Sequence, residues 1–467
     1  MFLDTKYWET SVNRLSVAMQ FVFILLILNT FCVHASQNSI NTQEEFSQQK
    51  LTTPATNPGQ SQEKITSISA NPATVNSIPG TGWLGEQMGL NKDHGFYLGG
   101  LWMADANYLT TGGKNPHTFS FNNLLLVSFG ADFEKILSLP GATFNIQYLQ
   151  YNGQPTNQRA GSVQGYNSMD AGSPLNRYEL YQLWWRQALF DDKLIFRVGK
   201  SSPSDDFNNV LKPVSTSRAD HTDILSLSGL IFTPVFVNPT LLGVLPGYYN
   251  TEYGITMSFA PNENFYANYG VYAGQLAKGV QTGLDPGLKP NGYYFNIAEI
   301  GTAWTLGVEN KPGSIGLGGW LQTGMLSASK NNTTIQQDGA KGLYLFAAQR
   351  LWLKNPGVDN SGISSFIQWG INNAKTLPVN DFVGFGLSGF GLIPNRPVDS
   401  IGFGLAWSKL NNNIFENKTE LMFQVYYQAH LFSSVFLESA VTYIPSPGAA
   451  PNLGSAVPFT LRLITLF

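Results

Sequence analysis

From about Gly82 onward, apolar side chains recur at every second position in short runs separated by turn-forming residues. Successive side chains of a strand point to opposite faces, so each run reads as a strand with one apolar and one partly polar side. The final run shows this most plainly. Phe459, Leu461, Leu463 and Phe467 share one face, interrupted by Thr465, while Thr460 and Arg462 take the other. Clear strands are predicted at Thr143–Tyr151, Tyr178–Ala188, Lys193–Gly199, Glu252–Ala260, Phe265–Ala273, Tyr293–Leu306, Ser314–Met325, Gly342–Leu353, Ile363–Ile371, Ser400–Lys409, Thr419–Leu431, Val435–Ile444 and Val457–Phe467. Weaker ones lie at Phe96–Met103, Phe119–Asp132 and Asp381–Gly391, giving about sixteen in all.

The joins alternate in character. Phe190–Lys193, Pro261–Asn264 and Phe432–Ser434 are short enough for tight turns. Asn152–Asn176, Ser201–Tyr249, Gln275–Asn291, Ser327–Ala340 and Asn372–Asn380 are long and rich in Gly, Asn and Pro. Short turns at one end and long loops at the other is the layout of a transmembrane antiparallel β-barrel. Ser201–Tyr249 stands apart, because its centre, Leu225 to Val237, is apolar and needs burial. This connection, which carries Asp205, Asp206 and Arg218, is expected to fold partly into the lumen and set the constriction.

Composition strengthens that reading. Hydrophobic residues make up 43%, aromatics 13% and charged residues only 12%, where soluble domains carry roughly 25% charged. A barrel spreads its apolar residues over alternate positions, whereas a large soluble β-sandwich, the main competitor, would need more charge outside. The formal net charge of −3 gives no reason to expect a nucleic-acid partner. Val17 to Cys32 is a short apolar run preceded by Lys6 and Arg14, and Val33-His34-Ala35-Ser36 offers a cleavage point after Ala35. Residues 1–35 are therefore read as a signal peptide, with a retained anchor as the alternative. Residues 36–81 form a polar periplasmic extension too poor in large apolar residues to order itself, and 82–467 the barrel. Cys32 is the sole cysteine, so the exported chain has no disulfide framework and no thiolate metal site.

Alternation also sorts lipid-facing from lumen-facing side chains, since a basic group at the bilayer midplane costs about 2–4 kcal/mol. Tyr181, Leu183 and Trp185 read as outward, placing Gln182, Trp184 and Arg186 inside. Arg197 faces inward on the next strand. Glu420, Gln424, Gln428 and His430 do so on Thr419–Leu431, followed by Glu438 and Arg462 on the last two strands. Gln182, Trp184, Arg186, Arg197, Glu420, Gln424, Glu438 and Arg462 are thus the candidate pore lining. Amides, charges of both signs and an aromatic suit a neutral polyhydroxylated solute, with Trp184 the expected stacking surface.

Other chemistry finds little support. The glycines at 384, 386, 389 and 391 lack the strand–loop–helix setting and lysine of a phosphate loop and predict a thin or bent strand. His94, His117, His221 and His430 show no metal-ligand spacing, and no cofactor is expected. A barrel phospholipase would need an oriented Ser–His pair; His430 with Ser433 or Ser434 has nothing to orient it.

Several blocks carry a resemblance. Trp83-Leu84-Gly85-Glu86-Gln87-Met88-Gly89-Leu90 followed by Gly95, Tyr181 to Gln187 followed by Asp191 to Lys200 and then Asp206-Phe207, Tyr427-Gln428-Ala429, and Tyr443 to Gly448 occur in order before the terminal Phe467. Together they resemble the carbohydrate-selective porins of Gram-negative outer membranes, the OprB family. The resemblance implies a sixteen-stranded, monomeric barrel through which small neutral sugars diffuse passively, with no catalysis. A trimer is the alternative assembly, and a general or plugged outer-membrane barrel acting as non-specific porin, anchor or adhesin the alternative function. It also implies contact with outer-membrane lipid and lipopolysaccharide, and insertion by the barrel-assembly machinery through Phe467. Gln182 and Gln424 stand where the family usually has Glu, and Arg186 where it often has an acid, so the preferred solute does not carry over. Exchanging acid for amide keeps acceptors but removes an anionic field.

Overall fold

The computed structural model describes residues 79–90, 92–173, 175–210, 228–244, 251–262, 264–274, 292–356 and 361–467. The expected signal peptide, nearly all of the polar extension, Arg218, His221 and the 275–291 connection lie outside the described residues.

Sixteen strands close into one antiparallel barrel in which each pairs with its sequence neighbours and the first with the last. They are β1 (Phe96–Thr111), β2 (Thr118–Asp132), β3 (Ala142–Gly153), β4 (Arg177–Leu189), β5 (Leu194–Ser201), β6 (Glu252–Asn262), β7 (Phe265–Ala273) and β8 (Tyr294–Leu306). There follow β9 (Lys311–Lys330), β10 (Thr333–Leu353), β11 (Gly362–Asn372), β12 (Val379–Phe390), β13 (Ser400–Leu410), β14 (Thr419–Phe432), β15 (Val435–Tyr443) and β16 (Val457–Leu466). Every predicted strand is present. Closure leaves no edge strand with unpaired backbone groups, a requirement in hydrocarbon. Outward positions carry large exposed apolar side chains, among them Phe119, Ile255, Leu343, Val425 and Leu461. No described helix is long and apolar enough to cross a membrane.

Three differences from the alternation are informative. The Ser327–Ala340 connection is no loop: β9 and β10 continue through it to a two-residue turn at Asn331-Asn332, both at positive φ. Strands of 20 and 21 residues exceed the ~9–11 that span a bilayer. Their tips, 327–339, are exposed or half-buried at every position and show no apolar period. Lys330 Nζ near the tip donates to the carbonyls of Asn412 (2.8 Å) and Phe415 (3.3 Å).

The second difference is at Tyr181. The pairing of β3 with β4 shifts between Gln147 and Tyr148, which face Gln182 and Leu180. Tyr181 is thus the extra residue of a bulge. It packs with Leu124, Leu149, Tyr151, Met169 and Ala171 instead of facing lipid. The third concerns Phe467, which alternation places outward but which is fully buried. Its carbonyl accepts from the backbone N–H of Thr81, Gly82 and Gly100 at 3.1, 3.3 and 2.8 Å.

Two loops from the same end of the barrel fold back against the inner wall. The β5–β6 loop buries Phe207, Leu230, Ile231, Phe232, Val235 and Leu241. The glycine-rich wall of β12 and β13 makes room for it and for neighbouring rings. A Cβ on Gly404 would lie 2.5 Å from Leu230 and 2.6 Å from Phe232, and one on Gly386 2.2 Å from Phe366. The β3–β4 loop is the other, with Ala160, Tyr166, Asn167 and Met169 all buried.

Candidate functional site: the lumen and its inward-folded loops

Inward positions on neighbouring strands meet as register partners, so lumenal polar groups come in cross-strand pairs. Asp105 on β1 faces Arg462 on β16, and the guanidinium donates from Nε and Nη2 to the two carboxylate oxygens at 2.8 Å each. Asn167 of the β3–β4 loop closes this pair. Its Nδ2 donates to Asp105 Oδ2 and Asn107 Oδ1, both at 2.8 Å, and its Oδ1 accepts from Arg462 Nη2 at 3.1 Å.

The loop's other anchor is Glu420 on β14. Its carboxylate accepts from Ser162 Oγ (2.8 Å), Val163 N (2.9 Å), Gln164 N (3.1 Å) and Gly448 N (2.7 Å). Four residues along the same face, Gln424 Oε1 accepts from Ile231 N (2.7 Å) and Phe232 N (3.2 Å) of the β5–β6 loop. Its Nε2 donates to Tyr166 O at 3.1 Å and Thr442 Oγ1 at 2.7 Å. The loops also join each other, with Ser168 N donating to Ile231 O (2.7 Å) and Thr233 N to Gly165 O (3.0 Å).

On the β4–β5 wall, Gln182 Nε2 donates to Asp205 at 3.1 Å, and Trp184 Nε1 donates to Gln182 Oε1 at 2.7 Å. Arg197 lies 4.8 Å over the Trp184 ring and donates to Asp206 Oδ1 at 2.8 Å. The indole face expected to stack on a solute is therefore occupied by a guanidinium. Arg186 pairs in register with Arg197. Glu438 accepts from Gln428 Nε2 at 2.9 Å. All eight lining candidates are between 1% and 6% exposed. Gln182, Arg197, Glu420, Gln424 and Arg462 contact the two inward-folded loops.

Two groups escaped the sequence reading. Glu179, on the far side of the bulge, joins Arg177 (2.8 Å) and Lys200 (3.2 Å). Parity counted from Gln182 assigns it to lipid, and only the two charges so close in sequence could have raised suspicion. Glu299 on β8 accepts from Tyr266 Oη, Tyr344 Oη and Asn208 N, each at 2.7 Å. Its strand buries Phe295 and Ile297 on the same face, so apolarity did not tell inside from outside.

A cavity of about 480 Å³ lies between the two loops, with Lys114, Asn157, Ser168, Asp170, Thr233 and Val237 in its wall. Burial pushes the Asp170 carboxyl up from its ordinary value, even though it accepts from Thr156 N (2.9 Å) and Asn157 N (3.3 Å). Among the described residues no group of His, Cys, Asp and Glu could hold a metal ion.

The profile of the carbohydrate-selective porins, OprB family, matches residues 116–467. Porin B of Pseudomonas aeruginosa is 23% identical over 417 residues, which cover 81% of this chain and 88% of that protein. The high-pH structure of Pseudomonas putida OprB superposes with a TM-score of 0.68 at 20% identity, over 82% of this chain and 97% of the other. Its low-pH structure gives 0.53 at 17% identity, over 84% and 100%. The fold and these relatives place the chain in the outer membrane of a Gram-negative bacterium, as a channel protein. With the family profile covering most of the chain up to the residue that closes the barrel, this protein belongs to the carbohydrate-selective porins, the OprB family.

Proposed function

We propose that the protein lets small neutral sugars diffuse across the outer membrane through the lumen, with no energy coupling. The observation that carries this is the internal pairing of the lumenal charges. Asp105 with Arg462, Arg197 with Asp206, and Glu179 with Arg177 and Lys200 neutralise one another within the wall. Glu299, Glu420 and Glu438 are held by neutral donors, and the rest of the lining is largely hydrogen-bonding dipoles, which suit hydroxyls. Passage needs weak contacts, on the order of −4 kcal/mol for millimolar binding. In this reading the loops bearing Asp205, Asp206 and Asn167 narrow the path. Residues 82–467 form the transport domain behind a signal peptide (1–35) and extension (36–81). The outward apolar face meets lipid and lipopolysaccharide, assembly machinery reads the strand ending at Phe467, and the barrel works as a monomer. Liposome swelling with glucose, a disaccharide, an amino acid and a small anion tests it: glucose should enter fastest for its size. Faster entry of the amino acid or anion would refute sugar preference and leave the barrel standing. The deep burial of the eight lining candidates favours a second reading, a barrel plugged by its own loops. Single-channel conductance near zero would select that one.

A further inference from the structure

The cavity between the two inward-folded loops takes its wall from six connections, all at the end of the barrel away from the tight turns. They contribute Lys114 (β1–β2), Val163 (β3–β4), Leu242 (β5–β6), Pro378 (β11–β12), Phe415 (β13–β14) and Ala449 (β15–β16). The long loops of outer-membrane barrels are extracellular, so the cavity stands at the outer mouth. Lys114 and Gln158 in its wall are exposed and mark where it opens. The protein alone sets its shape. Glu420 and Gln424 seat the two loops, and Ser168 N to Ile231 O (2.7 Å) and Thr233 N to Gly165 O (3.0 Å) tie them together. Gly243, at φ 93°, sends no side chain into it, and a Cβ there would come no nearer than 3.3 Å, to Leu377. At about 480 Å³ it falls within the ~300–1,000 Å³ of small-molecule sites.

The lining is divided in character. Val163, Leu242 and Phe415 are half-buried, packing part of their surface on the buried cluster and lining the cavity with the rest. Apolar side chains converging from three loops at a water-washed mouth mark a binding surface. Lys114 and Gln158 add hydrogen-bonding groups at the rim. Asp170, fixed by the backbone N–H of Thr156 and Asn157, balances the Lys114 charge. Apolar contact, a few hydrogen-bonding groups and no net charge match a pyranose, which has apolar C–H faces and an edge of hydroxyls. We propose that this cavity is an outer docking site for a neutral mono- or disaccharide, which binds there before it enters the narrowed lumen. Phe415 is the surface the ring lies against, and Lys114 and Gln158 meet its hydroxyls. Ser168 links the site to the lumen, since it lines the cavity and its Oγ accepts from Arg462 Nη2 at 3.4 Å. The inference rests on the carbohydrate reading and extends it to a site that includes none of the eight lining candidates.

The test is protection of an introduced thiol in the full-length protein, with glucose and sucrose as probes. Cys32 is the sole cysteine, so in a Cys32→Ser background Gln158→Cys supplies the single thiol. Either sugar should slow its reaction with a membrane-impermeant maleimide several-fold. Thr334→Cys, exposed at the β9–β10 tip, should react at one rate with and without sugar. Added to Gln158→Cys, Phe415→Ala removes the apolar surface and should raise the half-protecting sugar concentration about fivefold. Ala449→Phe fills the cavity and should abolish protection. Heat-modifiable migration identifies variants that have folded, and Lys114→Cys replaces Gln158→Cys if that one has not. Unslowed reaction in sugar, or equal slowing at Gln158→Cys and Thr334→Cys, would overturn the docking site. The carbohydrate reading survives that result if sugars still block ion current through the wild-type channel. Sugars that neither protect the thiol nor block the current would defeat that reading, and this site with it.

Discussion

Glu420→Gln is the sharpest perturbation of the lumen because it changes one atom in an isosteric side chain. One carboxylate oxygen accepts from Ser162 Oγ and Gln164 N, the other from Val163 N and Gly448 N. Replacing either oxygen with an NH₂ removes two accepted bonds and sets a donor against a backbone donor. Either orientation strands one backbone N–H of the β3–β4 loop, Gln164 N or Val163 N, because the Ser162 hydroxyl can turn to accept and Gly448 belongs to the β15–β16 connection; the loop should therefore lose about 1–3 kcal/mol of seating energy. Even the lower bound multiplies the unseated population about fivefold. The barrel itself should persist, since Glu420 contributes nothing to strand pairing through its side chain. In single-channel recordings the variant should show larger, noisier open states, because a loop that leaves the inner wall widens the path. Conductance, noise and sugar block all matching the wild type would refute the assignment of Glu420 as an anchor. The Asp105–Arg462–Asn167 cluster would then be holding the loop alone.

Two further outcomes are expected. Deleting Phe467 removes the carbonyl that Thr81, Gly82 and Gly100 share, and the yield of heat-resistant folded barrel on semi-native gels should fall sharply; full yield would contradict this. Burial alone would raise the pKa of Asp399 in the β12–β13 connection, but hydrogen bonds from Arg396, Tyr427 and the His430 backbone outweigh it and hold the carboxyl below its ordinary value. A depressed carboxylate stabilises above its unfolded pKa and loses that contribution as pH falls through the folded one. Hydrogen exchange in this connection should therefore accelerate below about pH 4. Asp399→Asn should exchange fast already at neutral pH, with no further acid step.

The strand pattern was legible because lipid imposes a strict rule on one face of each strand, and Phe265–Ala273 was read to the residue. Legibility failed where that rule lapses. At the tips of β9 and β10, 327–339, no position is buried and the apolar period is lost. At Tyr181 one inserted residue reverses parity, which hid Glu179 and Arg177 from an otherwise sound count. The β3–β4 loop looked like any surface connection, since Ser162, Gln164 and Asn167 are polar. Their burial depends on partners more than 200 residues away, such as Glu420, or on Asp105 on another strand. Gln182 and Gln424 meet the inward-folded loops, but alternation gives a side chain's direction and not what waits there.

The joint between Gly100 and Phe467 carries a kinetic consequence. Pairing β1 with β16 draws together segments separated by almost the whole barrel sequence, for a loop-closure cost on the order of 5 kcal/mol. The longest connection between neighbouring strands, β5 to β6, costs about 3.5 kcal/mol on the same scale and the tight hairpins about 1, so this joint should zip last. Until then both terminal strands present bare ladders, the form most prone to pair with another chain. Thr81 and Gly82 can reach the Phe467 carbonyl only once the circle is complete. Protection of those two amides from exchange would therefore time the closing event itself, separately from the growth of the sheet.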